Sequence, residues 1–542
     1  MKKLIVALTS LLMAASMHAQ QIAKLCSEKP RLVLIIVVDN LNNEQLEIVR
    51  RECGRDGINR IYNHGTQFTN AYYDAGGNYA GKNLATLFTG APASTHGIVG
   101  RQWIDSFTNK RVDAIYGDAI NKDGKVDTLA LPRNGQLLCS TIGNEIRKIY
   151  NHNAHIFSCG FHPEMLLWSS GTNMGEPVAW LDDVTGLMRQ QNITDSATFA
   201  WLNDFNSKKM CDIYINKIWA PRNDINKYHE KLYFSNERGS ARTFYYPMRS
   251  AIPIHEKYSL VAGSPFGNQL IRDFAASALL CGNFGKDDIP DILTVEFTAQ
   301  PSCGLKKQPL DMETEDLLIG LDENIASLLK AIDSSIGMDN TLVVFTAAQG
   351  CYDIKSTDSE QWKSKGAVSM RRTTALLNLY LMAIHGQAQW VRNYNDYSIY
   401  LDRQLADERK VNWDTLLNES AAFLTQIKGI GDAFAAKDLR NIYSTSPVIE
   451  VLRRNYHPKR SGDILIHLEP GWASEQDDGS QLTQLWGQEF VPLAFYGWKV
   501  PRATIYERHN MADVAPTICQ YIRVAQPNGC SGTPIKLKIE NL

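Results

Sequence analysis

The sequence lacks the excess of positive charge that a nucleic-acid-binding protein usually carries. Its 542 residues include 56 Lys and Arg against 58 Asp and Glu, a formal net charge of -2. This balance gives no electrostatic reason to expect a nucleic-acid partner. Hydrophobic residues make up 44% and charged residues 21% of the chain. That mixture excludes intrinsic disorder, collagen and a coiled coil, and it predicts a globular protein.

Several common catalytic and metal-binding motifs are absent as well. The chain contains no GxGxxG, no GxxxxGKS/T, no HExxH and no GxSxG, so no standard nucleotide, zinc-protease or serine-hydrolase motif is available. Its ten cysteines include no CxxC pair, which argues against a zinc ribbon.

Long apolar runs are scarce, and the first one is short. Residues 1–20 contain two lysines, then an apolar run from Leu4 to Ala15, then small residues. This layout is typical of a cleaved secretory signal and is too short to span a membrane comfortably. We expect cleavage near Ala19 or Gln20 and a mature periplasmic or extracellular protein without a transmembrane segment; an uncleaved anchor is the alternative.

Cysteines in such a compartment can form disulfides. Cys519 and Cys530 flank a short loop, and we expect them to be the best candidate pair. Cys159 and Cys281 lie in apolar runs, so we expect both to be buried thiols.

The strongest structural signal is the run RLVLIIVVD at Arg31–Asp39. A continuous β-branched run of this kind is typical of a central parallel strand buried on both faces. Asp39 closes it at the edge where open α/β sheets bind ligands. Similar strands are predicted at 155–160, 291–297, 341–345 and 491–496.

Helical patterns lie between these strands, and the clearest covers Asp316–Ile332. We therefore predict an α/β fold with a mainly parallel central sheet and helices on both faces. Two regions, about 200–260 and 352–460, break the alternation, the second with few strand runs. We interpret both as insertions that cap the functional edge of a core made of residues 21–351 and 461–542.

Several segments together resemble the alkaline phosphatase superfamily. They follow the order FTNAYYDAGG, LFTGAPASTHGIVG, SPFGNQLIRDFAASAL, VVFTA, VPLAFYG and MADVAPTICQYI. The most similar branch contains secreted type I phosphodiesterases, nucleotide pyrophosphatases and phosphate-irrepressible alkaline phosphatases. The resemblance runs from about residue 31 to the C-terminus, apart from the two caps, and implies the alkaline-phosphatase-like fold.

The resemblance also implies a chemistry. Two zinc ions, held by Asp and His side chains at strand ends, clamp the attacking and leaving oxygens of phosphoryl transfer. A Thr or Ser at the start of a helix is the nucleophile. Each catalytic zinc ion needs about three protein ligands of nitrogen or oxygen type.

This chain departs from the family at most of those positions. Asp39 keeps the first metal-binding carboxylate, although a strand-end Asp is equally consistent with a helix cap. The five remaining metal-ligand positions of the family are occupied by Gln300, Gly304, Ala348, Gln349 and Phe490. None of these is an Asp or His, so the resemblance predicts no two-metal site and no cofactor.

The substrate-binding positions are changed too. Ala80 stands in the place of the nucleophile, and a methyl group cannot attack phosphorus. Arg101 stands where the family has an Asn that contacts a phosphoryl oxygen; it is either an anion contact or a solvated surface residue. His162 and Glu164 replace the Lys and Arg of a K-x-R motif, so an acid stands where a cation should meet phosphate.

A rebuilt site is an alternative. Cys303 and Cys351, together with His162, could bind one zinc ion; a disulfide between the two cysteines, or two buried thiols, is the favoured explanation. Four aromatic residues are expected either to line the former cleft or simply to pack: Tyr79, Trp103, Trp168 and Phe490.

These departures favour a secreted, non-catalytic protein that keeps the scaffold and binds an unknown ligand or envelope protein. One alternative is an active, zinc-dependent hydrolase of phosphate or sulfate esters. Another is a structural subunit of a cell-envelope assembly.

Overall fold

A computed structural model describes most of the chain. The described residues are 29–76, 79–121, 125–127, 130–133, 135–171, 177–191, 196–229, 244–251, 257–302, 310–350, 366–440, 446–475, 481–483 and 486–537. The predicted signal segment and Cys303, Gly304 and Cys351 lie outside them.

The strands, in chain order, are β1 (Leu32–Asp39), β2 (Thr66–Gly76), β3 (Gln102–Ile104), β4 (Arg111–Asp113), β5 (Ile156–Gly160), β6 (Val178–Leu181), β7 (Met188–Gln191), β8 (Ile218–Trp219), β9 (Tyr246–Pro247), β10 (Asp291–Thr298), β11 (Thr341–Ala347), β12 (Gly366–Ser369), β13 (Val391–Asn395), β14 (Ser398–Leu401), β15 (Ile430–Ala435), β16 (Ile464–Leu468), β17 (Trp472–Glu475), β18 (Gln481–Thr483), β19 (Trp486–Phe490), β20 (Leu493–Gly497) and β21 (Ala503–Asn510).

The α-helices are α1 (Asn43–Val49), α2 (Ile58–His64), α3 (Ala80–Thr89), α4 (Ala93–His96), α5 (Ile142–Tyr150), α6 (Pro163–Leu166), α7 (Ser196–Ser207), α8 (Met210–Tyr214), α9 (Ser259–Ala262), α10 (Pro265–Cys281), α11 (Met312–Ser335), α12 (Met370–His385), α13 (Arg403–Glu408), α14 (Trp413–Leu424), α15 (Pro447–Asn455) and α16 (Val514–Ile522).

One large sheet forms the centre, with the strand order β19-β2-β20-β11-β1-β10-β5-β6-β7 and β21 paired to β2. β1 lies between β10 and β11 and is parallel to both. Every residue of these three strands is buried, as expected for strands covered by helices on both faces. The five predicted strands are confirmed, and the last of them, β20, runs antiparallel to β11.

The predicted helix is confirmed within α11, which starts four residues earlier than the apolar pattern. Asp311 caps its N-terminus, because one carboxylate oxygen accepts the Thr314 N–H at 2.9 Å. An N-cap carboxylate satisfies one of the free N–H groups of the first turn.

The first predicted insertion packs against the start of this helix. Asp316 accepts hydrogen bonds from the Trp219 indole at 2.7 Å and from the Tyr228 hydroxyl at 2.6 Å. The backbone N–H of Arg222 donates to the same carboxylate at 2.7 Å. A fully buried Asp therefore attaches residues 218–228 to the α/β core.

The second insertion contains more strands than its pattern indicated. β13, β14, β16 and β15 form a separate sheet with its own hydrophobic core. The sequence shows few strand runs here because these strands are short and interrupted by polar residues, as in VRNYN. β16 pairs with β14 and β15, so the boundary predicted at residue 460 falls inside this unit.

Two cysteine predictions were also wrong. Cys519 and Cys530 are free thiols. Cys519 is buried on α16, whereas the Cys530 thiol contacts the Gly532 carbonyl at 3.8 Å. Cys281 is exposed because it is the last residue of α10, and Cys159 is buried as expected. No α-helix in the described part of the chain is long and apolar enough to cross a membrane.

Asp322 ties α11 to the connection between α1 and α2. Its two carboxylate oxygens accept the N–H groups of Ile58 at 2.6 Å and Gly54 at 2.8 Å. Gly57 is required beside it, since a Cβ there would overlap the Asp322 side chain.

We expect Asp322→Ala to lower the free energy of unfolding by about 2–4 kcal/mol, because two N–H groups lose a buried charged acceptor. Urea unfolding measures this change. The matched control is Glu323→Ala, on the same helix, whose side chain is 61% exposed and pairs only with Arg222 in the described structure; it should cost less than about 1 kcal/mol. Equal losses in the two variants would contradict the proposed role of Asp322.

Candidate functional site

The candidate site lies where β1, β10 and β11 end. The Ala299 N–H donates to the Asp39 carbonyl at 2.9 Å, and the Leu41 N–H donates to the Gln349 carbonyl at 3.1 Å. The Ala348 N–H donates to the carbonyl of Val38 at 3.0 Å. The parallel register therefore brings the predicted positions Asp39, Ala348 and Gln349 to one edge, with Gln300 following Ala299.

Asn40 connects the polar side chains at this edge. Its amide nitrogen donates to Asp39 Oδ2 at 2.8 Å and to Gln300 Oε1 at 2.9 Å. Gln349 Nε2 in turn donates to Asn40 Oδ1 at 3.4 Å. Asn40 has a φ of 57°, a conformation that Asn tolerates better than most residues. Gln300 and Gln349 thus belong to a neutral amide network.

Asp39 is the one acidic side chain in this network of amides. The residue is only 4% exposed, and its Oδ1 has no hydrogen-bond partner in the described residues. Burial raises the pKa of Asp39 to about 7, although the charge of His162 opposes that rise. The carboxyl group therefore holds a proton more tightly than an exposed Asp.

Glu296 is a site residue that the sequence reasoning missed. It is fully buried on β10, and its Oε2 accepts the N–H groups of Phe161 and His162, each at 2.9 Å. Its Oε1 contacts His162 Nδ1 at 2.6 Å. The signal was present, since Glu296 is an isolated charge inside an apolar strand, and such a charge needs a partner.

The pairing fixes the charge of His162. Partial burial lowers the pKa of its imidazole, but the charge of Glu296 and the hydrogen bond to it outweigh that effect and raise the pKa to about 10. Gly160 makes the close approach possible, because a Cβ there would overlap the Glu296 carboxylate. His162 and Glu296 therefore form an imidazolium–carboxylate pair.

Arg101 and Glu164, two of the substrate-binding positions predicted from sequence, form a second ion pair. Arg101 Nη1 lies 3.1 Å from Glu164 Oε1, and Arg101 Nε lies 3.9 Å from Asp113 Oδ2. The Arg101 side chain is 50% exposed. Its positive charge is balanced by these two carboxylates, so it is not a spare cation for an anionic substrate.

Ala80, at the position predicted for the nucleophile, lies at the start of α3. Ala80 is the first residue of this helix and is buried. The Tyr79 hydroxyl is also buried and has no hydrogen-bond partner in the described residues. The ring of Tyr79 lies so close to Gly81 that a Cβ at position 81 would contact it at 2.5 Å. Packing against the helix start explains the position of Tyr79.

Glu489, not Phe490, points toward the site. Glu489 Oε1 accepts the Gly350 N–H at 2.6 Å, and its Oε2 accepts from the Asn83 amide at 3.1 Å. Phe490 lies beside Tyr72, with ring centres 6.1 Å apart. The alternation of side chains along a strand places Glu489 and Phe490 on opposite faces, but the sequence does not show which of the two faces meets the site.

The remaining aromatic residues pack in the core. Trp103 and Trp168 are fully buried in the main hydrophobic cluster, which favours the packing alternative for both. The rebuilt zinc site with Cys303 and Cys351 falls outside the described residues and stays a prediction.

The described side chains do not fit a two-zinc centre. At the positions implied for metal ligands they offer a single carboxylate, from Asp39. Across the described part of the chain, no group of three or more His, Cys, Asp or Glu residues is placed to hold a metal ion. A catalytic zinc ion needs about three protein ligands.

Comparisons with known proteins extend over nearly the whole chain. The family model for type I phosphodiesterase / nucleotide pyrophosphatase matches residues 33–491. The chain is 27% identical over 532 residues to a calcium-transporting ATPase of Myroides odoratus, covering 95% of each. It is 25% identical over 521 residues to alkaline phosphatase PafA of Elizabethkingia meningoseptica, covering 94% of each.

A solved structure supports the fold. The crystal structure of wild-type alkaline phosphatase PafA superimposes with a TM-score of 0.81 at 23% identity, covering 94% of this chain and 99% of that one. The predicted alkaline-phosphatase-like fold is thereby confirmed. Because the family match extends over more than half of the sequence, the chain belongs to the type I phosphodiesterase / nucleotide pyrophosphatase family of the alkaline phosphatase superfamily.

Proposed function

We propose that this protein is a non-catalytic member of its family that keeps the scaffold and binds a ligand or protein partner outside the cytoplasm. One observation carries the proposal: the charged groups beside Asp39 bind each other. His162 pairs with Glu296, and Arg101 pairs with Glu164. Little positive charge is left to stabilise the negative charge that develops during phosphoryl transfer.

The start of α3 supports the same proposal. Phosphoryl transfer through a covalent intermediate needs a hydroxyl or another nucleophile in line with phosphorus. Ala80 offers a methyl group there. Two nearby hydroxyls are engaged elsewhere, since Thr89 donates to the Ala85 carbonyl at 2.7 Å and Thr86 contacts His96 Nε2 at 3.1 Å.

Zinc would supply Lewis-acid catalysis and charge neutralisation in an active relative. The described ligand positions do not fit that metal, so we assign no step to it. The signal-like residues 1–20 support export.

An active ester hydrolase is the second candidate. The unpartnered Asp39 oxygen, adjacent to the His162–Glu296 pair, favours it, as do relatives named alkaline phosphatases. In this case the missing ligands would have to come from outside the described residues.

Metal content and turnover separate the two candidates. We expect the dialysed protein to hold well below one zinc ion per chain and to hydrolyse aryl phosphate monoesters and diesters at the background rate. Elemental analysis and a chromogenic assay measure these quantities. Ala80→Thr is an informative variant, because a restored hydroxyl should not rescue turnover without the metals. Two zinc ions per chain with turnover above background would refute the non-catalytic role.

Asp39→Asn tests whether the carboxylate is a buried charge or a ligand. The pKa of Asp39 rises from 3.8 to about 7 on folding, so the folded state binds more protons and the free energy of unfolding falls as pH rises between these values. We expect the stabilisation by Asp39→Asn to be larger at pH 8 than at pH 5, by about 1–3 kcal/mol.

Chemical unfolding at both pH values measures this difference, and Asp339→Asn, at an exposed position, is the control. A metal ligand would behave in the opposite way. Asp39→Asn would then lose stability, and a chelator would destabilise the wild-type protein by a similar amount.

The His162–Glu296 pair predicts an unusual titration. We expect the imidazole to remain protonated at pH 8, and Glu296→Gln to lower its pKa from about 10, because the largest charge that opposes the effect of burial is removed and only the weaker effects of Glu164 and Asp39 remain. The pair's contribution to stability should be complete below the ordinary pKa of 6.5 and lost as pH rises through about 10. NMR titration of the ring protons measures the pKa. Glu164→Gln should have a smaller effect, and a wild-type pKa near 6.5 would refute the pair.

A further inference from the structure

A cavity lies beyond α3, among β2, α15, β21 and the segment after β21. Its volume is about 410 Å³, within the range of small-molecule sites. Asp39 and Ala80 are absent from its described lining. The polar residues that matter here are Lys82, Arg454, Asn455, Arg508 and Asn510.

Lys82 is a buried cation with few partners. It is 2% exposed, and its ammonium donates to Asn455 Oδ1 at 3.0 Å. An ammonium carries three N–H donors, and the described residues provide no carboxylate within ion-pair distance. Burial lowers the pKa of Lys82 to about 8 despite the charges of Glu489, Asp396 and Asp74, so these acids do not fully compensate the buried charge.

Arg508 is the second cation without a carboxylate partner in the described structure. Its guanidinium lies 5.6 Å from the ring centres of both Tyr72 and Phe490. Cation–π contacts of this kind hold the guanidinium beside the rings and leave N–H donors available for an oxyanion.

The acids that line the cavity are already engaged. Asp74 accepts from Arg454 at 2.9 Å and from the Asn510 amide at 2.8 Å. Asp513 accepts the Thr533 N–H at 2.8 Å. Arg454 is thus neutralised, whereas Lys82 and Arg508 retain donors for a negatively charged guest.

We propose that this cavity binds a small organic anion, with a carboxylate or phosphate between Lys82 and Arg508 and the rest of the ligand against Tyr72. This inference rests on the ligand-binding role proposed above and gives that role a site. Asp39 does not line this cavity, although Asn83, which does, also donates to the Ala348 carbonyl at 3.1 Å.

Isothermal titration calorimetry on the full mature chain tests the proposal. Inorganic phosphate and succinate are the two anionic probes, and glycerol is the neutral control. We expect at least one anion to bind and glycerol not to bind. Lys82→Met keeps the aliphatic stem without the charge, and Arg508→Gln changes an exposed side chain. Each should weaken the Kd at least tenfold.

Arg502→Gln is the matched control, because the same change is made at an exposed arginine just before β21; the Kd should not change. The stronger of the two probes identifies whether a carboxylate or a phosphate is preferred. If Lys82→Met does not fold, the test is the Kd of Arg508→Gln compared with the Kd of the wild type and of Arg502→Gln.

The proposal is overturned if neither anion binds, or if the folded variants bind as the wild type does. It is also overturned if Asp39→Asn abolishes binding while Lys82→Met keeps it, because the anion would then occupy the strand edge. Zinc content and ester turnover test the non-catalytic role independently of anion binding. The anion site can therefore fail while the non-catalytic role stands, and the reverse.

Discussion

The sheet edge depends on the contact between the buried carboxylate of Glu296 and His162. Three hydrogen bonds converge on this one side chain, two from backbone N–H groups and one from the imidazole. A buried carboxylate without such partners would be strongly destabilising. The turn after β5 is therefore fixed by Glu296, and the charge of His162 is committed to the same contact. Gly160 leaves the space in which the contact forms.

The other side chains at this sheet edge leave little unpaired charge. Arg101 and Glu164 neutralise each other, the amides of Asn40, Gln300 and Gln349 form a neutral network, and Asp39 remains as a buried acid with a raised pKa. Beyond α3 the balance is reversed, because the buried Lys82 and Arg508, which lies beside two aromatic rings, have no carboxylate partner in the described residues. Of the cations described at these two places, those without a carboxylate partner line the cavity beyond α3.

Much of this arrangement could be predicted from sequence. Continuous apolar, β-branched runs identified β1, β10 and β11, and the parallel-sheet rule placed Asp39 at the ligand-binding edge; position 348 was placed there by the resemblance to the alkaline phosphatase superfamily. The partner of Glu296 could not be predicted, because His162 lies 134 residues away and meets it only through the pairing of β5 with β10. Likewise, choosing Glu489 over Phe490 requires the face of β19 to be known. Proximity in sequence also misled, since Cys519 and Cys530 are near neighbours and remain free thiols.

The central claim is that the charged groups at this edge bind one another and do not bind metal. The most direct test is X-ray diffraction from crystals of the protein grown with excess zinc, with anomalous data collected at the zinc edge. The account predicts no anomalous peak within coordination distance of Asp39 Oδ1 and an intact His162–Glu296 contact. Two peaks about 4 Å apart beside Asp39, the spacing of a two-metal esterase, would contradict it.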